Sequence, residues 1–132
     1  MKKGFINGCF DVLHVGHIEL IKFAKSKCDY LMIALDTDER VASFKGPNRP
    51  FNSLQDRETM MMALKGVDEL RSFSTDEELT LLVKNYNPDV MIVGSDWEGK
   101  RVIGGEHAKE LVYFRRIDGY STTKILENSI DR

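Results

Sequence analysis

Short apolar runs alternate with segments of helical pattern from one end of the chain to the other. Phe5-Ile6 opens the series and residues 17–27 carry the first helical pattern. Tyr30-Leu31-Met32-Ile33-Ala34-Leu35 is a near-continuous apolar run, the mark of a strand buried on both faces. Thr37-Asp38-Glu39 begins a short helix that fades into the loop Lys45-Gly46-Pro47-Asn48-Arg49-Pro50. Ser53 and Asp56 have capping-box spacing ahead of a helix to about Leu64, and Thr75 and Glu78 repeat it ahead of a helix ending before Asn87-Pro88. Strands are expected at 68–73, at Val90-Met91-Ile92-Val93-Gly94 and at Leu111-Val112-Tyr113-Phe114, with a terminal helix from Ser121. Parallel strands need crossover helices, so this order predicts an α/β fold with a doubly wound parallel sheet of about five strands. Ligands of such sheets lie beyond the carboxyl ends of the strands.

A length of 132 residues suits one domain with one core, and 42% hydrophobic with 30% charged residues is a soluble globular composition. No apolar run approaches the ~20 residues of a membrane span, and Met1-Lys2-Lys3-Gly4 lacks a signal-peptide pattern, so a cytoplasmic location without membrane insertion is expected. A formal charge of −2 gives no general attraction for nucleic acid, so any phosphate site has to be built locally. Cys9 and Cys28 form neither a disulfide framework nor a CxxC pair.

The chemistry-bearing stretch is Asn7-Gly8-Cys9-Phe10-Asp11-Val12-Leu13-His14-Val15-Gly16-His17, placed where the first strand gives way to the first helix. Unpaired backbone N–H groups and the helix dipole both favour an anion there. His14 and His17, at helical spacing with Gly16 between them, can reach one ligand, which points to chemistry on a phosphate; the alternative is that one caps the turn and the other packs. A zinc site lacks further ligands, since His107 is the one other histidine. Asp11 is read either as an ordinary turn aspartate or as a group that orients a histidine.

Three other segments carry candidate residues. Arg116-Ile117-Asp118-Gly119-Tyr120-Ser121-Thr122-Thr123-Lys124 combines hydroxyls at a helix start with two cations, either a second phosphate site or a capped surface helix. Lys45, Arg49 and Arg57 form either a solvated charge run or a loop that closes over a triphosphate. Asp96 and Trp97 follow the fourth strand, where the indole either stacks on a base or seals the sheet edge.

The run from Gly8 to His17 resembles the GxFDxxHxGH signature of the cytidylyltransferase-like nucleotidyltransferases, and Tyr120-Ser121-Thr122-Thr123-Lys124-Ile125 resembles their ISTT element. The resemblance spans essentially the whole chain and implies a single Rossmann-like domain over residues 1–132. It implies that a substrate phosphate attacks the α-phosphorus of a nucleoside triphosphate and pyrophosphate leaves. His14 and His17 would then donate to phosphate oxygens, and Lys45 and Arg116 would neutralise phosphate charge. Gly8, Cys9, Phe10, Asp11, Gly16, Asp96, Trp97, Ser121, Thr122 and Thr123 would frame the nucleotide, with Arg57 on substrate or phosphate. Mg²⁺ is implied as the nucleotide's counterion without a protein cage, and a homodimer is implied as the assembly.

Within that resemblance, the segments at 96–100 and 116–124 are similar to glycerol-3-phosphate cytidylyltransferase. Asn7-Gly8-Cys9-Phe10-Asp11 and Lys45-Gly46-Pro47-Asn48-Arg49-Pro50-Phe51-Asn52 are similar to the adenylyltransferase that makes ADP-heptose. The leading expectation is transfer of CMP from CTP to a small polyol or sugar phosphate of the glycerol 3-phosphate type, giving a CDP-activated precursor for cell-surface polymers. The alternatives are ATP-dependent adenylylation of heptose 1-phosphate and a non-catalytic nucleotide-binding module.

Overall fold

The computed structural model describes residues 1–115. Five parallel strands, β1 (Lys3–Gly8), β2 (Tyr30–Asp36), β3 (Glu69–Phe73), β4 (Val90–Gly94) and β5 (Glu110–Phe114), form one sheet in the order β3-β2-β1-β4-β5. Between them run α1 (Val15–Ser26), α2 (Asp38–Lys45), α3 (Leu54–Met62) and α4 (Asp76–Tyr86). The architecture is the expected Rossmann-like α/β fold. Arg116, Ser121, Thr122, Thr123 and the terminal helix expected from Ser121 lie outside the described residues.

Side-chain alternation along the strands builds two cores from one sheet. Ile6, Leu31, Ile33, Leu35 and Ile92 face one way, against Ile21 and Ala24 of α1 and Met61 of α3. Phe5, Met32, Ala34 and Met91 face the other way, against Leu79 and Val83 of α4. Because both faces are covered, the strands read as unbroken apolar runs. Each of the larger side chains among them, taken out of water, contributes about 1.5–3 kcal/mol before chain entropy is counted.

Local chemistry sets the helix ends. The Thr75 hydroxyl accepts from the Glu78 amide and the Glu78 carboxylate accepts from the Thr75 amide, completing the expected box at α4. At α3 only half of the expected box forms: Ser53 accepts from the Asp56 amide at 3.3 Å, and aspartate is one methylene shorter than the glutamate that reaches back. Helix α1 starts at Val15, earlier than its apolar pattern suggests, because His14 is its cap. Lys45 is the last residue of α2, not part of the following loop, and Gly46 ends that helix at φ +100°.

The chain runs outward from β1 through β2 to β3, then returns to place β4 on the other side of β1. That reversal opens a crevice beyond the carboxyl ends of β1 and β4, the place where such sheets bind ligands. Gly8 ends one of these strands and Gly94 the other. No helix among the described residues is long and apolar enough to cross a membrane.

Candidate active site

The turn from β1 into α1 is held in an uncommon shape. Phe10 adopts a left-handed backbone at φ 50°, a conformation that costs a bulky residue about 1–3 kcal/mol. Its buried ring lies 5.0 Å from the His17 ring. Gly8 leaves room for it, since a Cβ there would come within 3.0 Å of the Phe10 ring.

The two histidines cap their own helix. His14 Nδ1 accepts the Gly16 amide at 3.1 Å, and His17 Nδ1 accepts the His14 amide at 3.2 Å. Their rings stack with centroids 3.9 Å apart and 27° between planes. A ring nitrogen that accepts a backbone N–H carries no proton, so in the neutral imidazole the proton sits on Nε2. The cap therefore selects the tautomer and makes each Nε2 a donor. Both rings belong to the wall of the crevice.

Below this turn lies Asp11, with 1% of its surface exposed. Its carboxylate accepts from the amides of Phe51 at 2.7 Å and Asn52 at 2.8 Å and from Arg49 Nε at 3.0 Å. The Asn52 side-chain amide returns a bond to the Asp11 carbonyl at 2.7 Å. Asp11 thus latches the loop after α2 onto the histidine-bearing turn. Burial alone would raise its carboxyl, but the Asn52 and Phe51 amides and Arg49 outweigh burial and hold it below the ordinary 3.8.

Arg57 is the companion bolt, fully buried on α3. It donates to the carbonyls of Cys9 at 3.0 Å, Asp36 at 2.7 Å and Asn52 at 3.1 Å, and to the Asp38 carboxylate at 2.7 Å. One guanidinium therefore joins the first turn, the end of β2, the start of α2 and the latch loop.

The crevice above encloses about 770 Å³, within the range of a nucleotide-sized ligand pocket. On the β4 side it is walled by Gly94, Asp96, Trp97, Val102 and Ile103, and on the β2 side by Asp36, Arg40, Phe44, Lys45 and Asp76. Trp97 ends a short 3-10 turn directly after β4 and is 51% exposed, so its indole is offered to the crevice mouth and not buried in the sheet. Burial pushes the Asp36 carboxyl up, against the pull of Arg40, Arg57 and Lys45. Burial likewise raises the Cys9 thiol although Lys45 and Arg57 oppose it. Among the described residues no group of three histidines, cysteines or carboxylates is placed to hold a metal ion.

A family model described as cytidylyltransferase-like matches residues 5–128. The chain belongs to the cytidylyltransferase-like family. Among its relatives, the bifunctional protein HldE of Sulfurimonas denitrificans is 45% identical over 123 residues, covering 93% of this chain and 26% of the relative. The bifunctional protein HldE of Campylobacter fetus is 43% identical over 122 residues, covering 92% of this chain and 26% of the relative. The chain spans about a quarter of the length of these relatives. A crystal structure of the lipopolysaccharide core biosynthesis protein from Thermoplasma volcanium shares the fold, with a TM-score of 0.65 at 24% identity over 92% of this chain and 99% of that one.

For a member of the cytidylyltransferase-like family, the described candidates divide cleanly. Gly8, Cys9, Phe10, Asp11, His14, Gly16, His17, Lys45, Asp96 and Trp97 all line one crevice. Arg57 does not. Its guanidinium is enclosed and already bonded to four protein oxygens, which gives it a structural role. Asp11 lines the crevice floor, but its carboxylate oxygens are engaged by the latch loop and not by a histidine. Asp36, Arg40, Phe44 and Asp76 were not singled out from the sequence; the position of Asp36 at the carboxyl end of an apolar strand was the available signal.

Asp11→Ala is expected to lower stability by about 3–5 kcal/mol at pH 7, since it leaves Arg49 and two amides without their acceptor. A group held below its ordinary pKa contributes stability that is present above that pKa and is lost as pH falls through the folded value. The gap in melting temperature between wild type and variant should therefore begin to narrow as pH falls below about 4. A gap that is absent at pH 7, or unchanged at pH 3, contradicts the latch.

Proposed function

We propose that this chain is a nucleotidyltransferase that transfers AMP from ATP to a sugar 1-phosphate of the heptose type, releasing pyrophosphate. The observation that carries the reading is the latch. The two segments similar to the ADP-heptose adenylyltransferase, Asn7–Asp11 and Lys45–Asn52, are joined into one unit by the Asp11 carboxylate. The HldE relatives favour the same branch. ATP and a sugar 1-phosphate therefore replace CTP and glycerol 3-phosphate as the leading pair.

In this reading an acceptor phosphate oxygen forms a bond to the α-phosphorus while the bond from that phosphorus to the bridging oxygen breaks in line. The electron pair of the broken bond leaves with pyrophosphate. A phosphate monoester is largely dianionic near neutral pH, so no side chain has to remove a proton. What the protein supplies is position and charge. His14 and His17 donate Nε2–H to the oxygens of the α-phosphate, and Lys45 neutralises charge from the end of α2. Asp96 and Trp97 frame the nucleoside from the β4 side. Arg116, Ser121, Thr122 and Thr123 hold the β- and γ-phosphates. Mg²⁺ fits as an ion carried on the triphosphate, where it neutralises charge, because such an ion needs few protein ligands.

Pyrophosphate release, with ATP and CTP each crossed against heptose 1-phosphate, glycerol 3-phosphate and ribitol 5-phosphate, tests the assignment. The highest kcat/KM is expected for ATP with heptose 1-phosphate. Preference for CTP with a polyol phosphate would overturn it, and nucleotide binding without pyrophosphate release from any pair would indicate a non-catalytic module.

The histidines are tested separately. His17→Ala and His14→Asn should each lower kcat by at least ~10²-fold, the scale of losing one preorganised donor to a developing charge. Asparagine at position 14 retains an N-cap acceptor, so the melting temperature of that variant should stay close to wild type. Near-wild-type turnover in either variant removes that histidine from the chemistry.

A further inference from the structure

The β2 side of the crevice holds a carboxylate that the proposed reaction does not use. Asp36 ends β2, and its backbone is fixed by the bond from Arg57 to its carbonyl. Its side chain lines the crevice and is 22% exposed. Among the described residues its carboxylate receives no hydrogen bond, and its nearest cation, Arg40 Nε, stands 3.7 Å away.

Arg40 is itself tied elsewhere. Nη2 binds the Asp76 carboxylate at 2.7 Å, Nη1 donates to the Ser74 carbonyl at 3.3 Å, and the guanidinium lies 5.0 Å from the ring centres of both Phe44 and Phe73. Pinned between two rings and two oxygen partners, it cannot swing to a phosphate without losing all of them. The charge it lends Asp36 is partial, and the carboxylate keeps acceptor capacity turned toward the ligand space.

An anionic acceptor in a phosphate-binding crevice marks where the phosphates are not. It repels them and favours hydroxyl donors, which a sugar carries along its length away from C1. We propose that Asp36 is a specificity-determining residue for the acceptor: its carboxylate accepts hydrogen bonds from sugar hydroxyls, and Arg40 holds it in register. This rests on the sugar-phosphate reading above and assigns the β2 side of the crevice to the acceptor's polyhydroxyl body. The acceptor phosphate then lies toward Lys45 and the histidines.

Steady-state kinetics of Asp36→Ala and the isosteric Asp36→Asn test this, using the sugar or polyol phosphate that wild type turns over best. The expected result is an acceptor KM raised about tenfold or more in Asp36→Ala, with kcat and the ATP KM within about twofold, and a smaller rise in Asp36→Asn. Deoxy analogues of the acceptor should erase the difference between wild type and variant for the hydroxyl that Asp36 binds. An unchanged acceptor KM in an active enzyme overturns the inference while leaving the proposed reaction intact. A raised ATP KM or a raised Mg²⁺ requirement also overturns it, by moving Asp36 to the nucleotide. If wild type releases pyrophosphate with no acceptor in the panel, the reaction and this inference fall together. Should Asp36→Ala fail to fold, Asp36→Asn alone decides by the same criteria.

Discussion

A buried carboxylate with nothing to bind would be among the most destabilising groups in a protein of this size, and the crevice is organised around satisfying one. Asp11 gathers two backbone amides and a guanidinium from a loop 38 to 41 residues further along the chain. A charge taken out of water is tolerated only with such partners, so the loop has one favourable resting place, over the turn that carries His14 and His17. The strained backbone of Phe10 belongs to the same unit, because it is paid for by the burial of its ring under His17.

Arg57 does from below what Asp11 does from the side. Among the described residues these are the two buried charged side chains, and both lie at the carboxyl ends of β1 and β2. Neither meets the other directly. Asp11 fixes the loop by its amides, and Arg57 fixes the same loop by the Asn52 carbonyl. Charge that looks available for ligand in the sequence is thus largely committed to building the site. His14, His17, Lys45, Asp36, Asp96 and Trp97 line the crevice above this frame.

The strands were legible because burial on both faces writes itself as a continuous apolar run, as in 30–35 and 90–94. Helix starts were legible at Thr37 and Thr75 because capping acts within three residues. A histidine cap was one reading of the pair, but nothing local said which of the two would serve, and α1 begins earlier than its apolar pattern indicates. The committed role of Arg57 left no local trace either, because its partners lie up to 48 residues away and a charged residue on a helix ordinarily faces solvent. Arg40 was hidden for the same reason. The family motif identified the crevice, because its residues are contiguous in the chain.

Asp11 holds the latch loop on the histidine turn. Amide hydrogen exchange at Phe51 and Asn52 reads it directly, because the protection of those two amides comes from one carboxylate. In wild type both should exchange far more slowly than unbonded loop amides at the same pH, and in Asp11→Ala, which removes both acceptor oxygens, both should accelerate together. Exchange at the unprotected rate in wild type, or protection that persists in the variant, would contradict it.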